Sequence, residues 1–304
     1  MTRSEITVVS RQAAGTGTQA SGPGHGGQRP GSPGHSGPGH GGSRARRGLG
    51  AAATPLRGLA GLAGLLALWE VLPHTGLVSA DYLPPASESF RALGRMLAED
   101  AFWTALGNTL TGWGLGLAIA VAAGVVAGVV IGSTPVLRAL TASTIEFLRP
   151  IPSVALIPVA VLLYGTDLRS KLLLVVYASF WQVLVQVLAG MHDVDPVADD
   201  TARSYLLGRW GRVRYVMWPT ALPYVMTGVR LAATVALVLT ITAELVIGSP
   251  GLGRELAVAQ TSGAVPQVYA LVLVTGLLGV AINLVARTVE RRALHWHPSM
   301  RGEA

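Results

Sequence analysis

Six apolar runs divide this chain, at approximately 57–73, 107–132, 137–163, 172–190, 223–247 and 268–287. Several reach the ~20 residues that cross a hydrocarbon layer at the helical rise of 1.5 Å per residue, so the pattern predicts about six transmembrane helices and an all-α membrane protein. In the second run Gly116, Ala120, Gly124, Gly128 and Gly132 recur every fourth residue, leaving one helix face almost bare so that a neighbouring backbone can approach closely. The third run carries Pro150, Pro152 and Pro158, each removing a backbone donor, which predicts a broken helix beside a pathway or a kink that serves packing. Between the first two runs, Phe90, Leu93 and Leu97 recur at helical spacing, predicting a helix that either lies on the outer interface or packs on the bundle.

Composition agrees with the pattern. Half of the 304 residues are hydrophobic and 13% are charged, whereas soluble chains carry about a quarter charged residues. No cysteine is present, which excludes disulfides, thiolate metal sites and a cysteine nucleophile. The formal charge of +7 does not indicate nucleic acid, because residues 1–57 hold seven Arg against Glu5 alone. Residues 1–50 read as a disordered Gly/Pro/Ser/His-rich tail, with SGPGHGG at 21–27 and again at 36–42. Its His25, His35 and His40 could meet a metal ion, but glycine-rich spacing preorganises nothing, and no metal site is expected.

Orientation follows from the basic residues. Arg44, Arg46, Arg47 and Arg57 precede the first run, Arg203, Arg209, Arg212 and Arg214 lie between the fourth and fifth, and Arg287, Arg291 and Arg292 close the sixth. With an even number of spans all three groups share one side, which the positive-inside rule makes the cytoplasm, so both termini are expected there. The domain plan is then the tail, a transmembrane domain over 57–290 and a short cytoplasmic tail over 291–304.

The connection at 191–222 is too long for a simple turn. Its DDTARSYLLGRWGRVRYVMW reads as a short helical stretch ending at Pro219, with Pro223 opening the next span. Asp199 and Asp200 suit a helix start, while Tyr205, Leu206, Leu207 and Trp210 give the stretch an apolar surface outside the bilayer. Either another protein or this protein's own helix ends cover it.

That stretch resembles the cytoplasmic loop of ABC-importer permeases, which carry a Glu-Ala-Ala signature, a Gly four residues on and a Leu-Pro pair about a dozen residues later. Mapped without gaps, Asp200 falls on the Glu, Thr201 and Ala202 on the two Ala, Leu206 on the Gly and Trp218-Pro219 on the Leu-Pro. Members of the sulfonate and taurine type often read Ala-Arg-Ser-Tyr-Gly here; Ala202, Arg203, Ser204 and Tyr205 are kept, Leu206 replaces the Gly, and Gly208 follows. The resemblance covers roughly residues 60–290. It includes Tyr82-Leu83-Pro84-Pro85, Arg149-Pro150-Ile151-Pro152 with Ala155-Leu156-Ile157-Pro158, Pro219-Thr220-Ala221-Leu222-Pro223 with Gly228-Val229-Arg230, and Ala243-Glu244-Leu245 with Gly251-Leu252-Gly253.

Similarity to the nitrate, sulfonate and taurine permeases implies a type I ABC-importer permease fold in the bacterial inner membrane. It also implies a separate ATPase docking around Asp200–Gly208, a second permease copy as a homodimer, and an external substrate-binding protein. The implied cargo is a small anion of the aliphatic sulfonate, taurine or nitrate class; a permease for another small solute such as a vitamin precursor, or a secondary transporter, is the alternative. No internal repeat of the kind secondary transporters show is found. The chain holds no cofactor of its own, since its single lysine, Lys171, follows TDLRS rather than a glycine-rich phosphate loop; ATP would be bound by the ATPase.

Ionisable and polar residues at membrane depth are candidates for the pathway or gate. Glu146 and Arg149, three apart, either face it or pair with each other. Gln182 and Gln186 either line it or bond between helices. Glu244 lies 21 residues after Pro223, about 31 Å along a helix, which places it at the outer interface as a gate or loop anchor. The histidines outside the tail are His74, His192, His295 and His297, in loops or at a terminus, and form no hydrolase constellation.

Overall fold

The computed structural model describes residues 47–294. The tail expected over 1–50, with its three histidines, Arg44 and Arg46, lies outside the described residues up to position 46, as do residues 295–304 of the C-terminal tail. Two compact units divide at Arg57, the second running from Gly58.

Among the described residues the regular structure is helical throughout. In order it comprises α1 (Arg47–His74), α2 (Ala86–Met96), α3 (Asp100–Gly132), α4 (Pro135–Leu148), a 3₁₀ turn (Ser153–Leu156), α5 (Ile157–Tyr164), α6 (Leu168–His192), α7 (Pro196–Ser204), α8 (Arg209–Arg212), a π-helical turn (Val213–Met217), α9 (Trp218–Ile247), α10 (Leu252–Thr261) and α11 (Val265–Ala293). Four of these are long and apolar enough to cross a membrane: α3, α6, the continuous helix Arg209–Ile247, and α11. The third predicted run is a pair of helices, Pro135–Leu148 and Ser153–Tyr164, bent by 81°. The first apolar run is shorter, Ala60–His74. The count of six is therefore approximate: four full spans, five if the bent pair is one, and a short apolar helix.

The core is a three-helix layer of α3, α6 and α9. The small-residue stripe of α3 is buried along its length and faces α6. A Cβ on Gly116 would lie 2.5 Å from Val175 Cγ1, one on Gly124 2.8 Å from Val183 Cβ, and one on Gly128 2.6 Å from Val187 Cβ. The valines thus fill the bare face of α3, and the backbones close to a distance that larger residues would forbid. Trp113 Nε1 donates to the Ala233 carbonyl at 2.9 Å, fastening α3 to α9, and Arg230 pairs with Glu290 at 3.0 Å between α9 and α11.

The bend in the third run follows from its prolines. Pro152 would be the helical donor to the Leu148 carbonyl and has no N–H; Tyr177 Oη on α6 donates to that carbonyl instead at 2.7 Å. On α2 the buried residues are Ala86, Ser89 and Ala92, while Phe90 is exposed. The inner face of α2 is therefore set by small residues, and the aromatic face points outward.

Two local expectations are corrected. The helix after Gly208 does not end at Pro219: it runs on through the π turn, Pro219 and Pro223 to Ile247. Pro219 sits where the helix has widened, with Trp218 N–H donating five residues back to Val213, a geometry that accommodates a missing donor. Leu207 does not join the exposed apolar surface either. It is half-buried, its Cδ2 within 3.3 Å of where a Cβ on Gly211 would be.

Candidate functional site

The loop at 191–222 folds as a clasp of two short helices. Pro196 opens α7, and Asp195 caps it, its Oδ1 accepting from Val197 N–H at 2.8 Å. Asp199 then ties α7 to α8: Arg212 donates from Nε to Oδ1 at 2.7 Å and from Nη2 to Oδ2 at 2.8 Å, and Arg203 Nη2 adds a bond to Oδ2 at 2.8 Å. Burial pushes the Asp199 carboxyl up, but the bidentate Arg212 guanidinium, helped by Arg203, outweighs it and holds the group below the ordinary carboxylate range.

The end of α7 explains the glycine of the signature. Leu206 has φ +57°, the one non-glycine residue with positive φ among those described. Leu207 N–H donates to the Ala202 carbonyl at 3.0 Å and Leu206 N–H to Arg203 at 2.9 Å, the paired bonds of a Schellman cap whose left-handed position glycine normally fills. The leucine that replaces it keeps the turn and points into solvent, 91% exposed.

Ala202 is the inward face of α7. Asp200, Thr201, Arg203, Tyr205, Leu206 and Gly208 are exposed, joined by Trp210. Because Asp199 is the acid engaged within the chain, Asp200 presents its carboxylate outward. Pro219 lies behind this surface, half-buried at the start of α9.

The pathway candidates are dispersed. Glu146 and Arg149 are both exposed at the end of α4 and make no ion pair with each other; Pro150 and Pro152 are exposed at the bend. Gln182 and Gln186, one turn apart on α6, are half-buried, and no partner for their side chains is found among the described residues. Gln186 lies against Gly228 of α9, where a Cβ would come within 2.9 Å of its own Cβ. A neighbouring groove of about 570 Å³ is lined by Arg169, Tyr164, Tyr177, Phe180 and Trp181, and the Trp181 Nε1 is buried without a partner.

Glu244 is fully buried and anchors the turn that follows α9. Its Oε1 accepts from Lys171 Nζ at 2.7 Å, and its Oε2 accepts from Thr109 Oγ1 at 2.8 Å and Gly253 N–H at 3.1 Å. Lys171 Nζ also donates to the Pro250 carbonyl at 3.1 Å, and Thr109 Oγ1 accepts from Leu252 N–H at 2.9 Å. A Cβ at Gly251, where φ is +155°, would meet the Glu244 carboxylate, and one at Gly253 would lie 2.7 Å from Glu244 Cβ. The Ala-Glu and Gly-Leu-Gly pieces are thus one object, a carboxylate wrapped by a turn that only glycines admit. Lys171 enters the sequence reading only as the residue that excludes a phosphate loop. Its signal was that the chain's single lysine stands at the very start of an apolar run, where a charge drawn toward the bilayer requires a partner.

Comparison with known proteins gives the same direction as the motifs. Residues 100–295 match the family described as binding-protein-dependent transport system inner membrane component. The taurine transport system permease protein TauC of Escherichia coli (strain K12) is 31% identical over 241 residues, covering 78% of this chain and 88% of that protein. The putative aliphatic sulfonates transport permease protein SsuC of Bacillus subtilis (strain 168) is 26% identical, covering 81% and 90%. Among solved structures, a chain of an amino acid ABC transporter crystallised with histidines superposes with a TM-score of 0.55 at 20% identity, covering 66% of this chain and 97% of that one, a likeness of fold.

Proposed function

This chain belongs to the family of binding-protein-dependent transport system inner membrane components, an importer permease of the taurine and sulfonate type, and from that premise we propose that it carries a small organic or inorganic anion and is driven by a separate ATPase. The protein is an inner-membrane, multi-pass translocation component. The ATPase seats on the α7–α8 clasp, with Asp200 supplying a charge-assisted acceptor and Leu206 and Tyr205 an apolar patch.

The observation that carries this reading is the division of labour between neighbouring acids. Asp199 closes the clasp, and Asp200, in the acidic position of the family signature, is left for another chain. Nucleotide-driven closure of the ATPase pair would then move the two clasps together and switch the pathway between its two states. A second permease copy completes the pathway: α4 buries none of its own residues, and Leu140 and Phe147 stand exposed on it. An external binding protein delivers the anion.

The test is reconstitution of the full chain with a cognate ATPase and binding protein, followed by uptake of labelled taurine, an alkanesulfonate, nitrate and bicarbonate. ATP-dependent, binding-protein-dependent uptake of one of these is expected. Uptake that proceeds without ATPase or binding protein would overturn the assignment in favour of a secondary transporter.

A further inference from the structure

We propose that this permease holds one anionic phospholipid of the cytoplasmic leaflet in a groove between the end of α3 and the α8–α9 helix, an inference that rests on the orientation placing α7 and α8 in the cytoplasm. Two clefts meet there. One, of about 400 Å³, is apolar: Val126 and Val130 of α3 form one wall and Trp210 and Trp218 the other. The second, of about 620 Å³, is basic, with Arg138, Arg203, Arg209 and Arg212 around Asp199. They share Val129, Val130, Trp210 and Val213, so they form a single groove with a greasy half and a charged half.

The greasy half opens away from the protein. Val126 and Val130 are 63% and 51% exposed on the last turns of a membrane-spanning helix, where an uncovered apolar side chain meets acyl chains. Tryptophans such as Trp210 and Trp218 favour the level of the headgroups, because an indole joins an apolar ring to one polar N–H.

The charged half has more cation than the protein consumes. Asp199 offsets one of the four arginines, and Arg138 gives one Nη2 bond to the Gly132 carbonyl at 2.6 Å. Among the described residues, the side chains of Arg209 and of Arg214, at the edge of the apolar cleft, make no hydrogen bond or ion pair. Planar guanidinium groups bind phosphate oxygens two at a time. A phosphate tethered to an acyl chain satisfies both halves at once, whereas a free anion would leave the apolar wall unused. The π turn Val213–Met217 carries this arrangement by setting Val213 into both clefts while Arg214 reaches the apolar one. A lipid so placed would bridge α3 to the helix that begins at the clasp.

Full-chain permease is incorporated into nanodiscs of dioleoylphosphatidylcholine alone or with about 30 mol% dioleoylphosphatidylglycerol, released into mild detergent, and weighed by native mass spectrometry. One phosphatidylglycerol per chain should survive release, with phosphatidylcholine lost. Two variants should each cut retention about tenfold: R209Q/R214Q, which removes exposed charge only, and V130W, which fills the apolar half. Glycerol 1-phosphate, the headgroup without chains, should not displace the lipid at millimolar concentration. Equal retention of the two lipids, or undiminished retention in both variants, overturns the proposal. So does displacement by glycerol phosphate that persists in V130W, which would mark a site for a soluble anion. A cysteine at position 214 that labels only from outside intact cells overturns the orientation instead.

Discussion

Lys171 and Glu244 meet at 2.7 Å, 2% and 0% exposed, joining helices whose contact residues are 73 positions apart. Two charges removed from water in this way contribute little net stability as a pair, but either one alone becomes an uncompensated charge that costs about 3–5 kcal/mol.

Lys171→Met should therefore cost about 3–5 kcal/mol and lower the yield of folded protein in detergent, while the double variant Lys171→Met with Glu244→Leu recovers much of the loss. Gly253→Ala should also destabilise, by about 1–3 kcal/mol, because its Cβ would press on the Ile241 carbonyl, 2.3 Å away. Gly276→Ala, which meets nothing within 4 Å and lies inside α11, is the control and should not destabilise. Thermal unfolding followed by circular dichroism reads all four; a neutral Lys171→Met would show that the pair is dispensable.

Leu206→Gly should stabilise the isolated permease. A left-handed backbone costs a non-glycine residue about 1–2 kcal/mol, and the gain is partly offset by the greater freedom of glycine in the unfolded chain, about 0.5–1 kcal/mol. The net expectation is a small rise in melting temperature. A fall would mean that the Leu206 side chain is packed within the protomer.

Asp200→Ala and Leu206→Glu should leave the chain folded and inserted but weaken ATPase retention and binding-protein-stimulated hydrolysis about tenfold or more, since each removes a contact that only the partner completes. Thr201→Ser serves as the neutral comparison on the same helix. Wild-type retention and turnover in both variants would remove this clasp as the docking element.

The clasp should be insensitive to pH across the physiological range. Asp199 has its folded-state pKa depressed, so its contribution is present at every pH above the unfolded value of about 3.9 and is lost only as pH falls through the still lower folded value. A spin label on a cysteine at position 205 should show unchanged mobility from pH 8 to about pH 5, and high mobility throughout in Asp199→Asn. Loosening of the wild-type clasp near pH 6 would contradict the carboxylate as its closing element.

Because the chain has no cysteine, single-cysteine variants can be labelled without background. Position 203 should be reached by an impermeant thiol reagent only after the membrane is opened, and positions 88 and 254 in intact cells. The reverse pattern would invert the topology.

The spans, the stripe on α3 and the break at Pro150–Pro152 were legible because each rests on a short-range property: run length, a period of four, a missing donor. Pro219 misled because a proline ends a regular α-helix, and nothing in the local sequence announced the π widening that carries the chain past it. Leu206 and Leu207 are adjacent and equally apolar; only the left-handed turn decides which points out. The environment of Glu244 was beyond reach for a different reason, since its three donors come from Thr109, Lys171 and Gly253, and no periodicity connects positions so far apart. The motif showed that Glu244 and the two glycines occur together, and the packing shows why.

The continuous helix Arg209–Ile247 has 39 residues, about 58 Å of rod at 1.5 Å per residue. One interruption in its hydrogen bonding is off-centre: Pro223 leaves the Pro219 carbonyl without its usual donor, so a pivot there lies about 21 Å from the clasp end and about 36 Å from the far end. The arms are unequal, so the clasp end is the short side of a lever. A tilt of about five degrees about that pivot sweeps the far end through roughly 3 Å. Glu244 is knotted there to Lys171 and to the turn before α10, so on the docking proposed above a push at the clasp would reach α6 and α10 as a larger stroke than the one applied.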